Sequence, residues 1–237
     1  MPGSILKAGA RKLIFENSPK LLLISLIYVL LITIVSWLSF RLPGSLSAED
    51  INRRLLSGEI PGIDLIYSDF RPIGVLLAIL LMLMQPILDL GFISYCLKIY
   101  RAQSTEFKDL FNGFIFFVKA LAIFLLTSVL IFLWSMLFII PGIVASYRYR
   151  LAYYILLDDP QKSALQCISE SKLIMHGNKL DLLTIDISFI GWFILDLILY
   201  ILNPFPFPLP FLSVWLSPYL GLTRAAFYED RMSKIAV

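Results

Sequence analysis

Six ionisable side chains lie inside runs that are otherwise apolar: Asp89, Arg148, Arg150, Asp186, Asp196 and Arg224. At mid-bilayer each would cost at least about 2.5–3.5 kcal/mol, so each needs a partner or a use. Two kinds of chemistry suit these residue types. Facing a common cavity, they would bind an anion or a lipid headgroup. Turned toward one another, they would be internal pairs holding a short, weakly apolar helix among its neighbours. Counting about 1.5 Å per helical residue sets Arg148 and Asp196 at one level, roughly 8–10 Å from the outer boundary. Arg150, Asp89 and Asp186 lie deeper or toward the inner half. The expected pairs are therefore Arg148 with Asp196, and Arg150 with Asp186 or Asp89. Residues at i and i+2 point to opposite sides of a helix, so one carboxylate does not easily serve both arginines. Gln85 and Asp89 share a face at i, i+4 spacing beside Pro86, which suits either a cavity wall or a kinked helix satisfying its freed carbonyls.

Other chemistries are poorly provided for. His176 is the single histidine, so neither a Ser-His-Asp nor a Cys-His set can be assembled. Zinc needs three or four His, Cys or carboxylate ligands, and Cys96, Cys167 and His176 are scattered. No glycine-rich phosphate loop is present. The carboxylate pairs Asp158-Asp159 and Glu229-Asp230 fall at helix ends, where capping and interfacial closure account for them. Tyr147, Tyr149, Tyr153 and Tyr154 bracket a short apolar run and read as interfacial anchors. The expectation is no catalytic residue, no metal and no cofactor.

The elements that must position these groups are membrane spans. Hydrophobic residues make up 59% of the 237, and the mean hydropathy of +0.83 is beyond what a soluble domain keeps from water. About 20 apolar helical residues cross a bilayer core. The expected fold is all-α, a polytopic membrane helical bundle forming a single domain over residues 1–237. Its spans are placed at 20–40, 72–100, 114–140, 143–157, 179–202 and 211–228. The first run is too long for a signal-peptide core and is expected to remain as the first span.

Between the spans, residues 4–16 read as a basic interfacial helix stopped at Asn17-Ser18-Pro19. Ser47 and Asp50 form a capping box ahead of a short amphipathic helix that Gly58 would close. Thr105 to Gly113 reads as one or two helical turns. Ile140-Pro141-Gly142 reads as a tight turn between spans 3 and 4. Residues 159–177 read as an amphipathic cytoplasmic helix, with Asp159 as N-cap, Pro160 at its first turn and Gly177 past its end. Ala164, Cys167, Ile168, Ser171, Ile174 and Met175 form its apolar face. The alternating prolines of 203–210 exclude helix, and Ser217-Pro218 is expected to bend span 6.

Lys and Arg set the orientation. Lys7, Arg11, Lys12 and Lys20 precede span 1, Lys98, Arg101, Lys108 and Lys119 flank the 2–3 loop, and Lys162, Lys172 and Lys179 flank the 4–5 helix. Among the loops assigned to the other side, only the first is basic, with Arg41, Arg53, Arg54 and Arg71. Both termini are expected in the cytoplasm. The net charge of +3 is modest and dispersed, which argues against nucleic acid as a partner.

Four runs, PILDLGF, FKDLFNGF, the long stretch from IIPGIVASYRYR to DISFIGWFIL, and PYLGLTRAAFYED, resemble one family. It is the bacterial integral-membrane family catalogued as domain of unknown function nine-seventy-five. The resemblance covers most of residues 5–230 and is most specific from Ile139 to Trp192. It implies a multi-pass protein of the cell membrane and carries no catalytic residue to transfer. The leading functional expectation is a non-enzymatic protein acting through lipid or protein contacts in an envelope-homeostasis, accessory or immunity role. The alternative is a small transporter or amphiphile-binding protein using Asp89, Arg148, Arg150, Asp186 and Asp196. Expected partners are the lipid bilayer and either a membrane protein or a lipid ligand; the sequence leaves the oligomeric state open. In cell fractionation the polypeptide should stay in the membrane pellet through high-salt and carbonate washes and leave only with detergent. Monodisperse protein recovered from detergent-free cytosol would contradict that.

Overall fold

A computed structural model describes residues 2–41, 56–57, 72–202 and 211–235. The longer elements among them are α1 (Gly3–Asn17), α2 (Lys20–Arg41), α3 (Pro72–Tyr100), a 3-10 helix (Phe107–Phe114) and α4 (Phe117–Leu137). They are followed by α5 (Ile139–Arg148), α6 (Ala152–Asp158), α7 (Ala164–Ile174), α8 (Lys179–Ile187), α9 (Ile190–Ile201) and α10 (Phe211–Ile235). No strand occurs among the described residues. The expected loop helix at 47–58 and the proline-rich turn at 203–210 lie outside the described residues, apart from Leu56 and Ser57.

Among the described residues three helices are long and apolar enough to cross a membrane: Lys20–Ser39, Pro72–Tyr100 and Phe117–Leu137. A fourth crossing arises if α8 and α9, which meet at a 41° bend, form one broken span. The regular structure among the described residues is thus all helical, with apolar helices of the membrane kind. The expected span 6 is a single helix, α10, with Pro218 inside it. It falls outside the set of crossing helices because Ser213, Ser217, Thr223, Arg224, Glu229, Asp230 and Arg231 dilute its apolar content. Leu216, Tyr219, Leu222, Ala225, Ala226 and Phe227 are buried, so it has less need of lipid-facing carbon.

The helices form two compact units, residues 1–30 with 86–237, and residues 31–85. The smaller unit holds the distal part of α2 and the first half of α3, and exposes Ile34, Ile73, Leu76, Ile79, Leu80 and Met82. That surface is suited to acyl chains. The larger unit holds the polar groups of interest.

Within the larger unit, α1 buries Leu6, Ala10 and Ile14, an i, i+4, i+8 stripe, and packs on α10 and α8. Its inner face therefore covers protein, while Ile5 and Phe15 stay exposed. The connector after α3 is the 3-10 helix Phe107–Phe114, opened by a reciprocal capping box between Glu106 and Asp109. Leu110 is buried, while Phe107, Phe111 and Phe114 are exposed. Two glycines let this element sit against α3. A Cβ on Gly91 would come within 1.8 Å of the Leu110 carbonyl oxygen, and one on Gly113 within 1.9 Å of the Ile87 carbonyl oxygen. Such backbone approach is what small residues permit between helices in lipid.

Three expected features are corrected. Pro141-Gly142 is not a turn but the first turn of α5, and the chain reverses at Phe138, which is extended at φ −160°, ψ 154°. Proline is tolerated there because first-turn amides have no intrahelical acceptor. Gly142 serves packing, since a Cβ would meet Ser135 Oγ of α4 at 2.0 Å. The expected span 143–157 is not continuous but two helices, α5 and α6, separated by a turn at 149–151. The amphipathic helix begins at Ala164 rather than after Asp159. Ser163 is its N-cap, in a capping box with Gln166, and Asp159 Oδ1 instead accepts from the Gln161 amide at 3.1 Å in a local turn. Its buried face is the one the spacing indicates, with Cys167, Ile168, Ser171 and Ile174, and Gly177 follows at φ +80°.

Asp109 ties the connector to α3: its Oδ1 accepts from Lys98 Nζ at 2.7 Å, and its Oδ2 from the Glu106 amide at 2.9 Å. Burial disfavours its charge, but Lys98 and the Glu106 amide outweigh that, holding the carboxyl below the usual carboxylate range. A carboxyl depressed in the folded state stabilises it above the unfolded value near about 4, and that contribution is lost as pH falls through the folded value. In detergent, melting temperature should therefore drop with acidification below about pH 4. Asp109→Asn should blunt that drop and cost about 1–2 kcal/mol at neutral pH.

Candidate functional site

The polar residues of the larger unit collect around one cavity of about 320 Å³, bounded by α2, α3, α4, the α5–α6 break and α10. Tyr28 lies about 12 Å along α2 from Lys20, and Asp89 about 17 Å along α3 from Tyr100, so the cavity opens at mid-span rather than at a helix end. Ile123, Thr127 and Ile131 supply a largely apolar wall from α4. Gly221 supplies the other wall by allowing α10 close to α3: a Cβ there would stand 2.7 Å from Cys96 Sγ and 3.3 Å from the Phe92 ring.

Two charge centres line or adjoin the cavity. The first is Asp186 on α8, whose side chain is only 13% exposed. Arg224 Nη2 donates to both its oxygens at 3.1 Å and Nε to Oδ1 at 3.3 Å, the two-point grip that suits a guanidinium and a carboxylate. Tyr147 Oη donates to Oδ2 at 3.1 Å. Arg150 Nη2 approaches the same Oδ2 at 3.7 Å and makes no hydrogen bond among the described residues. It lines the cavity with 41% of its side chain exposed and lies over the Tyr147 ring at 5.7 Å. One carboxylate thus serves two guanidinium groups, and the one it holds loosely faces open space.

The second centre is Asp89. Tyr28 Oη donates to its Oδ1 at 2.7 Å, and the Tyr28 ring stacks on Phe92 at 4.1 Å. Among the described residues Asp89 makes no ion pair, and its Oδ2 has no hydrogen-bond partner. Tyr149, Tyr153 and Tyr154 also line the cavity.

The break between α5 and α6 aims Arg150 there, and Ser171 of α7 makes the break tolerable. Its hydroxyl, fully buried, donates to the Arg148 carbonyl at 2.9 Å and accepts from the Leu151 amide at 3.1 Å. Both backbone groups would otherwise be orphaned by the interrupted helix.

Of the residues singled out by sequence, the structure brings Arg150 and Asp186 together and sets Asp89 on the same cavity. The expected Arg148–Asp196 pair does not form. Asp196 Oδ2 accepts from Ser213 at 2.7 Å, and Arg148 Nε is buried with no partner among the described residues. A depth count sets a level along a helix but not the direction a side chain takes around it, and here the two side chains do not meet. Tyr149 and Tyr154 are buried wall residues rather than interfacial anchors. Arg224 was visible as an intramembrane charge, yet its pairing with Asp186 had no signal in spacing. Tyr28 and Ser171 looked like ordinary residues of apolar faces.

A second cavity, of about 270 Å³, lies between the start of α1 and α8. Its charged groups are engaged: Lys7 Nζ donates to Ser188 Oγ at 2.8 Å, and Asp181 accepts from Arg231 at 2.7 Å. Among the described residues no three His, Cys, Asp or Glu side chains gather as a metal would require.

Comparison with known families matches residues 136–234 to the family described as protein of unknown function, DUF975. This is the family to which the sequence motifs point, and the matched segment carries Arg150, Asp186, Ser171 and Arg224. No curated protein and no solved structure matches the chain.

The shared carboxylate predicts unequal mutational costs. Asp186→Ala leaves two guanidinium groups without their acceptor and should cost about 3 kcal/mol in detergent unfolding, less than a fully buried pair because Arg150 reaches open space. Asp196→Ala removes a bond to one serine and should cost about 1 kcal/mol or less. Equal losses would contradict this arrangement.

Proposed function

We propose that the protein is a non-enzymatic multi-pass protein of the bacterial cell membrane that binds an amphiphile, with a phosphate or carboxylate head, in the cavity beside Arg150. The observation that carries this reading is Arg150 itself. A guanidinium has five N–H donors, and this one, at membrane depth, has no hydrogen bond among the described residues while lining open space. An oxyanion would complete it in two-point geometry. The apolar wall from α4 suits the first part of an acyl chain, and a cavity of about 320 Å³ holds a headgroup but not a whole lipid.

The accompanying topology in this proposal is six crossings, formed by α2, α3, α4, the α5–α6 pair, the α8–α9 pair and α10, with both termini cytoplasmic. The basic residues before α2, around the 3-10 helix and beside α7 support that orientation. The accessory reading, in which the charges merely satisfy one another, suits Arg224 and Asp186 but leaves Arg150 unexplained.

Purification in mild detergent followed by lipid mass spectrometry tests the proposal. The wild type should retain about one lipid per chain. Arg150→Gln, which keeps the Arg224–Asp186 pair, should retain about ten-fold less at equal lipid concentration, matching the loss of one or two hydrogen bonds to a charged group. Absence of lipid from the wild type, or equal retention by the variant, would overturn it.

A further inference from the structure

We infer that the ligand's head is dipolar, carrying an amine cation as well as its anionic group, and that Asp89 is the residue that receives the amine. The inference rests on the amphiphile-binding reading and names the ligand class of that same cavity.

The cavity presents opposite charges that do not close on each other. Arg150 and Arg224 line it with Asp89, yet Asp89 makes no ion pair among the described residues, and its only hydrogen bond there comes from Tyr28. In a low-dielectric interior opposite charges attract strongly, and a buried carboxylate without a cation is costly. Side chains free to collapse together would do so. Each is drawn to another partner instead: Tyr28, stacked on Phe92, donates to Asp89, while Asp186 draws Arg150 and binds Arg224. A group bridging the gap has to offer an anion to Arg150 and a cation to Asp89 Oδ2.

The wall beside Asp89 is also what an ammonium group favours. Tyr28 and Tyr153 line the cavity with Asp89, and aromatic rings attract cations, more so when water is excluded. A head with phosphate alone would satisfy Arg150 and place a second negative charge near Asp89, with no cation between them. A phosphoethanolamine-type head satisfies both ends at once. The same dipolar chemistry could arrive as a lipid or as a free soluble headgroup, and the test separates these.

Native mass spectrometry of the full chain in neutral detergent, titrated with three lysolipids of identical acyl chain, tests the inference. The probes are lysophosphatidylethanolamine, its N-acetylated form, and lysophosphatidic acid. The wild type should bind the first at least about ten-fold more tightly than either of the others, the scale expected when one partner of a desolvated charge pair is removed. Asp89→Asn should erase that preference by weakening lysophosphatidylethanolamine about ten-fold while leaving lysophosphatidic acid binding as tight as in the wild type or tighter, and Asp89→Glu should retain the preference. The N-acetylated probe reads the amine contact on wild-type protein and so decides the matter even if Asp89→Asn fails to fold. Equal binding of all three by the wild type would overturn the dipolar head and leave the amphiphile reading standing. Binding of none would overturn both. Soluble phosphoethanolamine should fail to compete at equal concentration; competition as potent as that of the lysolipid would keep the dipolar head but remove the acyl chain from the ligand.

Discussion

Asp186 is the charge on which the arrangement of the larger unit turns. In a hydrocarbon setting a guanidinium cannot be left to water, and a single carboxylate on α8 accepts one arginine from α10 and neighbours a second from the α5–α6 break. The two are not held alike. Arg224 takes the two-point grip and Tyr147 adds a third donor, so little acceptor capacity remains for Arg150. The shortage is what leaves a cationic group at the cavity.

That shared contact requires the helices to come together closely, and small residues provide for it. Gly221 brings α10 against Cys96 and Phe92, Gly142 brings α5 against Ser135, and Gly91 with Gly113 joins the 3-10 helix to α3. The interruption at 149–151 needs its own remedy, because unpaired backbone groups cannot be hydrated inside a membrane protein. Ser171 supplies it with one hydroxyl that donates on one side and accepts on the other. The α7 helix, which by sequence looks like a surface element, is thereby bound into the structure of the turn at 149–151.

Much of the helical outline was legible. The apolar runs, the stop at Asn17, the buried face of α7 and the positive φ at Gly177 all follow from local rules, since periodicity and capping act within a few residues. The neighbourhood of Arg150 and Asp186 could be anticipated because few acceptors exist at that depth. Local rules failed where two elements meet. Pro141-Gly142 carries the signature of a turn, yet a proline in a first helical turn and a glycine at a close contact give the same dipeptide. Asp159 and Ser163 are both good caps, and the one followed by Gln three residues later prevailed.

Composition and hydropathy alone determined that this chain is helical and suited to a membrane, because burying backbone hydrogen bonds in lipid depends on local sequence and on little else. Only the tertiary structure decided which charges meet. Arg148 does not meet Asp196, Asp196 accepts from Ser213, and Asp186 takes Arg224. Ion pairing falls off over a few ångströms, and counting along a straight helix cannot supply that precision once the helix is interrupted.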